Sequence, residues 1–376
     1  MALKGEPNAI AVVGTYPPTR CGIATFTSSL GHALNERYPT SIVRLVEDGD
    51  GAVPADDDLE IVANWTRGDE VSRGHVLAAL KRFAVVVVQH EFGVFGGPDG
   101  DEIVTFLEEC PIPAVVVLHT APAEPTPNQR RILDSIGKLA SVIVVQSNAA
   151  LDCIVATTSI DPDVIHVIAH GAVLNLTGPA DRLSQQPVVL TWGLLWPGKG
   201  IEHGIDALAG LQDLVPRPVY AVVGETHPKI REREGEAYRE SLVAQAARLG
   251  IADQVIFDDS YRDTASLLRV VRGAEVVLLP YDSTEQVTSG VLVEAIASGK
   301  PVVATAFPHA VELLRDGPGL VVDHHDIRAM AATHLVSAAG VHAGSGGATG
   351  RQPRLACCRR TLSRAYSQDR SSEDSP

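Results

Sequence analysis

Positive charge is scarce in this sequence: its 376 residues include 31 Lys and Arg against 46 Asp and Glu, a formal net charge of -15 at pH 7. A protein that binds nucleic acid through its phosphates needs clustered Lys and Arg. The body of the chain offers no such cluster, so the charge pattern argues against DNA or RNA as a partner.

Long hydrophobic runs are also missing. The longest ones, such as 84–88 and 114–118, have the length of a strand, whereas a membrane-spanning helix needs about 20 apolar residues. The amino terminus leads directly into a strand-like run, without the apolar segment and cleavage site of a signal peptide. We therefore expect no transmembrane segment and a cytoplasmic protein.

Cysteine is rare, and its spacing is not that of metal ligands. The 5 cysteines are Cys21, Cys110, Cys153, Cys357 and Cys358. We interpret them as free thiols. Acidic strings at 48–50, 56–58 and 99–101 superficially resemble metal-binding Asp-x-Asp sites, but solvated loop acids are the favoured interpretation. We predict no metal ion and no cofactor.

The chain has the length of two domains, and 45% hydrophobic residues are enough to give each a core. Short Val- and Ile-rich runs alternate with amphipathic stretches, which predicts α/β domains with doubly wound parallel sheets. The predicted strands are 10–13, 41–45, 84–89, 114–119 and 142–146 in the first half, and 188–191, 219–223, 254–257, 275–279, 301–304 and 320–322 in the second.

Composition places the domain boundaries. Gly, Pro, Asn and Ser interrupt the pattern before the second series of strands, and small, Arg-rich sequence follows it. We predict a first domain over 1–172, a linker over 173–186, a second domain over 187–330 and a disordered tail over 331–376. The abrupt change of composition in the tail suggests a foreign reading frame or a truncated gene.

A predicted loop-to-helix junction in the second domain has the character of an anion site. Thr288, Ser289 and Gly290 enter a helix, where outward-pointing N–H groups and the helix dipole favour a phosphate. Glu294, one turn further on, is placed to accept hydrogen bonds from ribose hydroxyls. The alternative is an ordinary helix start with a surface Glu.

A second candidate phosphate contact follows the predicted strand 188–191. Lys199 lies between Gly198 and Gly200, so its ammonium is expected at the carboxyl end of that strand, where it would neutralise a phosphate. A solvated loop lysine is the alternative. The two segments together favour a phosphate-binding site with Lys199 as its electrostatic catalyst.

With Lys199, the small residues 288–290, Glu294 and the strand-like segment 299–305 in this order, the chain resembles a retaining glycosyltransferase of glycosyltransferase family 4, also called glycosyl transferases group 1. The resemblance covers about residues 8–328. It implies the GT-B architecture, two facing Rossmann-like domains with an interdomain cleft. The first domain would then lie on the acceptor side, and the second would bind the nucleotide-sugar donor.

The sequence departs from the family's pattern at two positions. The donor loop Gly-Arg-x-x-x-x-Lys-Gly is matched by Gly193, Lys199 and Gly200, but Leu194 replaces the arginine. The acidic pair separated by seven residues is matched by Gln286 and Glu294, so that the first acid is missing, although Glu285 precedes it. Both departures weaken the donor contacts that the resemblance implies.

The resemblance also implies roles for individual residues. The catalytic candidates are Lys199, His119 and Glu294. The donor-binding candidates are Gly22, Gly193, Lys199, Gly224, Glu225, Thr288, Ser289, Gly290, Val291 and Glu294. The acceptor-side candidates are Arg20, His90 and Glu91. Arg20 is a candidate replacement for the cation missing at Leu194, and Glu225 and His227 either line the pocket or cap the following helix.

The implied reaction moves a hexose from a nucleoside-diphosphate sugar to a hydroxyl of a carbohydrate or glycoside, with retention of configuration. GDP-mannose, UDP-glucose and ADP-glucose stay open as donors, as do the acceptor and the oligomeric state. A catalytically impaired sugar-nucleotide-binding protein and a sugar-nucleotide epimerase are the alternatives on the same fold.

Overall fold

A computed structural model describes residues 8–47, 58–260, 262–315 and 319–331. The chain divides into two units, Met1–Ala169 and His170–Pro376. The acidic string 48–50, residues 56 and 57 of the string 56–58, and the tail after Ala331 lie outside the described residues. Among the helices of the described residues, none combines the length and the hydropathy needed to cross a membrane.

The first unit contains a seven-stranded sheet in the order β3-β2-β1-β4-β5-β6-β7, with parallel pairing throughout. Its strands are β1 (Ile10–Thr15), β2 (Thr40–Val46), β3 (Glu60–Thr66), β4 (Val85–His90), β5 (Ala114–Leu118), β6 (Val142–Val145) and β7 (Ile165–Val167). Its helices are α1 (Gly22–Asn35), α2 (Glu70–Leu80), α3 (Glu102–Glu109), α4 (Pro127–Leu139) and α5 (Asn148–Thr157).

Local sequence explains where several of these helices begin. The Asp69 carboxylate accepts the N–H groups of Val71 and Ser72 at the start of α2. Thr126 and Gln129 form a reciprocal capping box at the start of α4. Each cap satisfies N–H groups that have no partner inside the helix, typically worth about 1 kcal/mol.

The second unit contains a six-stranded sheet in the order β10-β9-β8-β11-β12-β13, again with parallel pairing. Its strands are β8 (Val188–Trp192), β9 (Val219–Val223), β10 (Val255–Asp258), β11 (Val276–Leu279), β12 (Val302–Thr305) and β13 (Gly319–Val322). Its helices are α6 (Ile201–Ala209), α7 (Pro228–Glu234), α8 (Ala237–Arg248), α9 (Thr264–Gly273), α10 (Gly290–Ala297) and α11 (Pro308–Leu314).

The core of the second unit covers both faces of its sheet. Val188, Leu190 and Trp192 of β8 belong to one buried cluster, and Val189, between the first two, belongs to another. Side chains alternate between the faces of a strand, so such a strand is a continuous apolar run when both faces are buried.

The segment 173–186, predicted to be a linker, makes specific contacts with the second unit. Asn175 is buried, and its main-chain N–H donates to the Ala297 carbonyl at 3.0 Å. Its side-chain amide donates to the Leu268 carbonyl and the Ser298 hydroxyl, both at 2.9 Å. These bonds fix residues before β8 to helices α9 and α10.

The strand order identifies where a ligand site is expected. It reverses direction between β1 and β4 in the first unit and between β8 and β11 in the second. In open parallel sheets, ligands bind beyond the carboxyl ends of the strands at such a reversal. The loops after these four strands are therefore the expected ligand-binding loops.

Candidate functional site

Two glycines bring the ends of β8 and β9 into close contact. Gly193 has φ +111° and Gly224 φ +142°, a region that glycine adopts easily and other residues rarely do. A Cβ on Gly224 would lie 2.2 Å from the Gly193 carbonyl oxygen. The two backbones approach each other this closely because Gly224 carries no side chain.

Lys199 lies beside Gly193. It ends a short 3-10 turn, Pro197–Lys199, and its Nζ donates to the Tyr281 hydroxyl at 3.0 Å and lies 4.3 Å from the centre of that ring. A Cβ added to Gly193 would lie 3.7 Å from the same Nζ. The structure thus brings Gly193 and Lys199 together, as the sequence predicts.

The first turn of helix α10 also lies beside Gly193. The position of a Cβ on Gly193 is 3.9 Å from Cγ2 of Val291. Within the described part of the chain, the N–H groups of Gly290 and Val291 have no hydrogen-bond partner. Such unpaired N–H groups at a helix start favour an anion.

Ser289 requires a correction. Its hydroxyl caps α10 by accepting the N–H of Leu292 at 3.3 Å, but its own N–H donates to Nδ1 of the buried His309 at 2.8 Å. The prediction that this N–H points outward is therefore wrong, because the folded chain already uses it. Only Gly290 and Val291 of this turn keep N–H groups available for a ligand.

His309 is fixed as an acceptor by burial. Desolvation lowers its pKa to about 4, so the ring is neutral at pH 7 and its Nδ1 lone pair accepts the hydrogen bond from the Ser289 N–H. A second histidine, His170, lies beside the start of α10, where its Nε2 is 3.1 Å from the position of a Cβ on Gly290. Burial lowers the pKa of His170 as well. Sequence reasoning missed both histidines, because neither lies in a recognisable motif.

Thr288 and Gln286 lie in the loop that precedes α10. The Gln286 side-chain amide donates to the Thr288 carbonyl at 3.1 Å. The Thr288 hydroxyl is buried and has no partner among the described residues. Gln286 therefore supports the loop at the position where the resembling family has an acid.

Glu294 lies one turn into α10 and faces the end of β8. The indole N–H of the buried Trp192 donates to its Oε2 at 3.3 Å. Burial raises the pKa of the Glu294 carboxyl, and the bond from Trp192 partly opposes this rise. The carboxylate is therefore held in place, which disfavours the alternative of a surface Glu.

The loop after β9 has a mixed role. His227 caps α7, since its Nδ1 accepts the N–H of Lys229 at 3.2 Å, which is the capping alternative considered for it. The Glu225 carbonyl accepts the N–H of Leu195 at 2.8 Å. Glu225 and Leu194 have half-buried side chains, beside the glycine pair at the strand ends.

In the first unit, a polar cluster lies at the carboxyl ends of β4 and β5. Nε2 of His119 is 2.8 Å from Oε1 of Gln89, and the His119 ring packs edge-on against Phe26 at 4.9 Å. The Glu91 carboxylate accepts the Thr120 hydroxyl and the N–H of Phe92. His119 and Glu91 both stay partly accessible.

His90 is not accessible, which corrects its prediction as an acceptor contact. Its side chain is fully buried, near Phe92 and Phe95, and burial lowers its pKa to about 4. Successive side chains of a strand point to opposite faces of the sheet, so Gln89 and His90 lie on opposite faces. Only the Gln89 side therefore joins the cluster with His119.

The loop after β1 carries the other first-unit candidates. Gly22 begins α1, and the Cys21 sulfur caps the helix by accepting the N–H of Ala24 at 3.4 Å. Nothing lies within 4 Å of a Cβ added to Gly22, so packing alone does not require glycine there. Arg20 is exposed.

The acidic side chains of the string 99–101 are bonded to other residues of this chain. Asp99 accepts from the Asn128 amide at 2.9 Å, and Asp101 pairs with Arg131 at 3.0 Å. A different set of side chains, His203, Asp282 and His325, has three possible metal-ligand atoms within 4.8 Å of one another. The sequence did not suggest this set. The prediction of a reaction without metal stays a prediction.

Solved structures with the same architecture define the fold class. HepE of Anabaena, crystallised in complex with UDP, is 18% identical, with a TM-score of 0.71 over 95% of this chain and 94% of that one. A glycosyltransferase of Rickettsia africae is 16% identical, with a TM-score of 0.71 over 97% and 95%. The α/β fold with two Rossmann-like parallel-sheet domains is confirmed as GT-B.

Sequence comparison then identifies the family of the second unit. Residues 179–334 match the family Glycosyl transferases group 1. This match confirms the resemblance to glycosyl transferases group 1 over these residues.

Curated relatives are similar over part of their length. A D-inositol 3-phosphate glycosyltransferase of Mycobacterium sp. (strain KMS) is 30% identical over 209 residues, 53% of this chain and 44% of the relative. The enzyme of the same name from Corynebacterium glutamicum (strain R) is 29% identical over 244 residues, 58% of this chain and 57% of the relative. The chain spans about half the length of these relatives.

Proposed function

We propose that the chain is a glycosyltransferase that moves a hexose from a nucleoside-diphosphate sugar to a hydroxyl of a carbohydrate or glycoside, with retention of configuration. The observation that carries this proposal is the convergence of Lys199, Gly193 and the first turn of α10 at the strand-order reversal of the second unit. Together they supply an ammonium and unpaired N–H groups beside a residue without a side chain, which suits a diphosphate.

In the proposed reaction, the bond from the anomeric carbon to the diphosphate breaks, and the acceptor oxygen bonds to that carbon from the same face. The acceptor proton passes to the departing diphosphate. Lys199 and the N–H groups of Gly290 and Val291 stabilise the negative charge that develops there, which is electrostatic catalysis by groups already in place. This charge stabilisation needs no metal or cofactor.

Glu294 is proposed to orient the donor. Its second oxygen is available to accept hydrogen bonds from ribose hydroxyls, while Trp192 holds the first. In the first unit we propose that His119 and Glu91 contact carbohydrate hydroxyls, as both residues are only partly buried. UDP is the first nucleotide to test, because HepE of Anabaena was crystallised with UDP and with UDP-glucose.

The test is calorimetric titration of the full chain with UDP, GDP and ADP and their sugars, using Lys199→Gln and Arg233→Ala. Losing a hydrogen bond to a charged group costs about 1.5–3 kcal/mol, so we expect Lys199→Gln to weaken nucleotide binding about 10- to 150-fold. Arg233 is the control for charge, because its side chain is 71% exposed on α7. Equal affinity in all three proteins would refute the proposed site.

Donor binding without transfer is the second candidate function. Gln286 favours it, since its amide supports the Thr288 carbonyl where the resembling family has an acid. Incubation with the bound nucleotide sugar, with and without simple glycoside acceptors, separates the possibilities. Released nucleotide with a new glycoside supports transfer, an altered free sugar nucleotide supports epimerisation, and an unchanged donor supports binding alone.

A further inference from the structure

Three side chains from three separate segments meet at the carboxyl edge of the second sheet. His203 lies in the first turn of α6, Asp282 in the loop after β11, and His325 in the turn after β13. Nε2 of His203, Oδ1 of Asp282 and Nδ1 of His325 point at one another. None of these residues has a role in the proposed glycosyl transfer.

The distances between these atoms are close to those between the ligands of a metal ion. Nε2 of His203 is 3.0 Å from Oδ1 of Asp282 and 3.0 Å from Nδ1 of His325, and the remaining distance is 3.9 Å. Zinc lies about 2.0–2.2 Å from nitrogen and oxygen ligands, so two ligands of a tetrahedral ion lie about 3.3–3.5 Å apart. The observed distances lie on either side of that range.

Hydrogen bonding alone does not satisfy this arrangement. A ring nitrogen of histidine carries either one proton or one lone pair, in the plane of the ring. Nε2 of His203 has two partners at 3.0 Å, but it is able to make one strong bond in either state. A cation bound by all three atoms removes this conflict.

We propose that His203, Asp282 and His325 bind a divalent transition-metal cation of which Zn²⁺ is representative. Two imidazoles and one carboxylate suit zinc and its neighbours, whereas Mg²⁺ and Ca²⁺ prefer oxygen ligands. Three protein ligands leave a position for water. The proposal does not depend on the function proposed above.

The cation would tie together the segments that carry its ligands. The N–H of Asp282 donates to the Gly198 carbonyl at 3.2 Å, next to Lys199 in the chain. A bound ion therefore stabilises the second unit and the turn that holds Lys199. Because the side chains of Asp282 and His325 are 32% and 63% exposed, the ion can enter from solvent.

The test is a zinc titration of the full chain in competition with a chromophoric chelator. All proteins carry Cys357→Ser and Cys358→Ser, so that the adjacent thiols do not compete for zinc. We expect one zinc ion per chain, and at least tenfold weaker binding in His325→Ala. That side chain is largely exposed, so its removal should leave the fold intact, and His203→Ala provides a second variant.

His324→Ala is the matched control. The neighbouring His324 lies 3.3 Å from the Ser283 carbonyl and is not one of the three ligands. It should bind zinc within twofold of the parent protein, and Co²⁺ should give visible absorption bands in the parent and in this control only. The proposal is overturned if zinc binds equally to the parent and His325→Ala, or if His324→Ala weakens it as much.

Discussion

Gly200 offers a sharp test of the packing at the strand ends. It has φ +61°, and a Cβ there would lie 1.9 Å from the main-chain oxygen of Pro280. A left-handed conformation costs a residue other than glycine about 1–2 kcal/mol, and overpacking costs about 1–3 kcal/mol more. We expect Gly200→Ala to lower the free energy of unfolding by about 2–5 kcal/mol.

Gly250 provides the matched control within the same unit. It follows α8 with φ +71°, and nothing lies within 4 Å of an added Cβ. Gly250→Ala should therefore cost only the conformational part, about 1–2 kcal/mol. The difference between the two variants isolates the clash with Pro280.

Guanidinium unfolding, followed by tryptophan fluorescence, measures both costs, because Trp192 is buried in the second unit. The unfolding transition of the second unit should shift to lower guanidinium concentration in both variants, and the shift should be larger in Gly200→Ala. Equal losses of stability in the two variants would refute the reasoning, since they would show that the carbonyl of Pro280 moves aside at no cost.

Two further predictions concern buried titratable groups. The Glu294 carboxyl keeps its proton to higher pH in the folded protein than in the unfolded chain. The wild type should therefore lose stability relative to Glu294→Gln as the pH rises above about 4.5. A stability difference between the two proteins that does not change with pH would contradict this. His309 behaves in the opposite direction: the unfolded ring gains a proton near pH 6.5 and the folded ring near pH 4. Between pH 7 and pH 4, urea unfolding should show the wild type losing up to about 3 kcal/mol relative to His309→Gln, and parallel curves would show that His309 does not resist protonation.

The sequence predicted the strands that are buried on both faces. The run that became β9 was predicted with its observed bounds, Val219–Val223, because such strands are continuous apolar segments. Two strands were missed. β3 lies at the edge of its sheet with only Trp65 buried, and β7 is only 3 residues long, so neither produces a strong hydrophobic pattern.

The site residues that could be predicted are those that lie close in sequence to the end of a strand or the start of a helix. Lys199 follows β8 closely, and Gly290 starts α10, so the order of elements alone brings them to one edge. The partnership of Ser289 with His309 was not predictable, because it joins a helix start to a residue 20 positions later. The set of His203, Asp282 and His325 spans 122 positions, a spacing that no local motif reveals.

The bond from Gln286 to the Thr288 carbonyl limits which residue is tolerated at position 286. Restoring the acid of the resembling family by Gln286→Glu would exchange the amide donor for a carboxylate oxygen and set it against the carbonyl oxygen, 3.1 Å from the present nitrogen. Two such acceptors repel each other when no proton lies between them. A carboxylate at position 286 would thus lose this contact with the loop before α10, although Gln286→Glu changes a single atom of the side chain from nitrogen to oxygen.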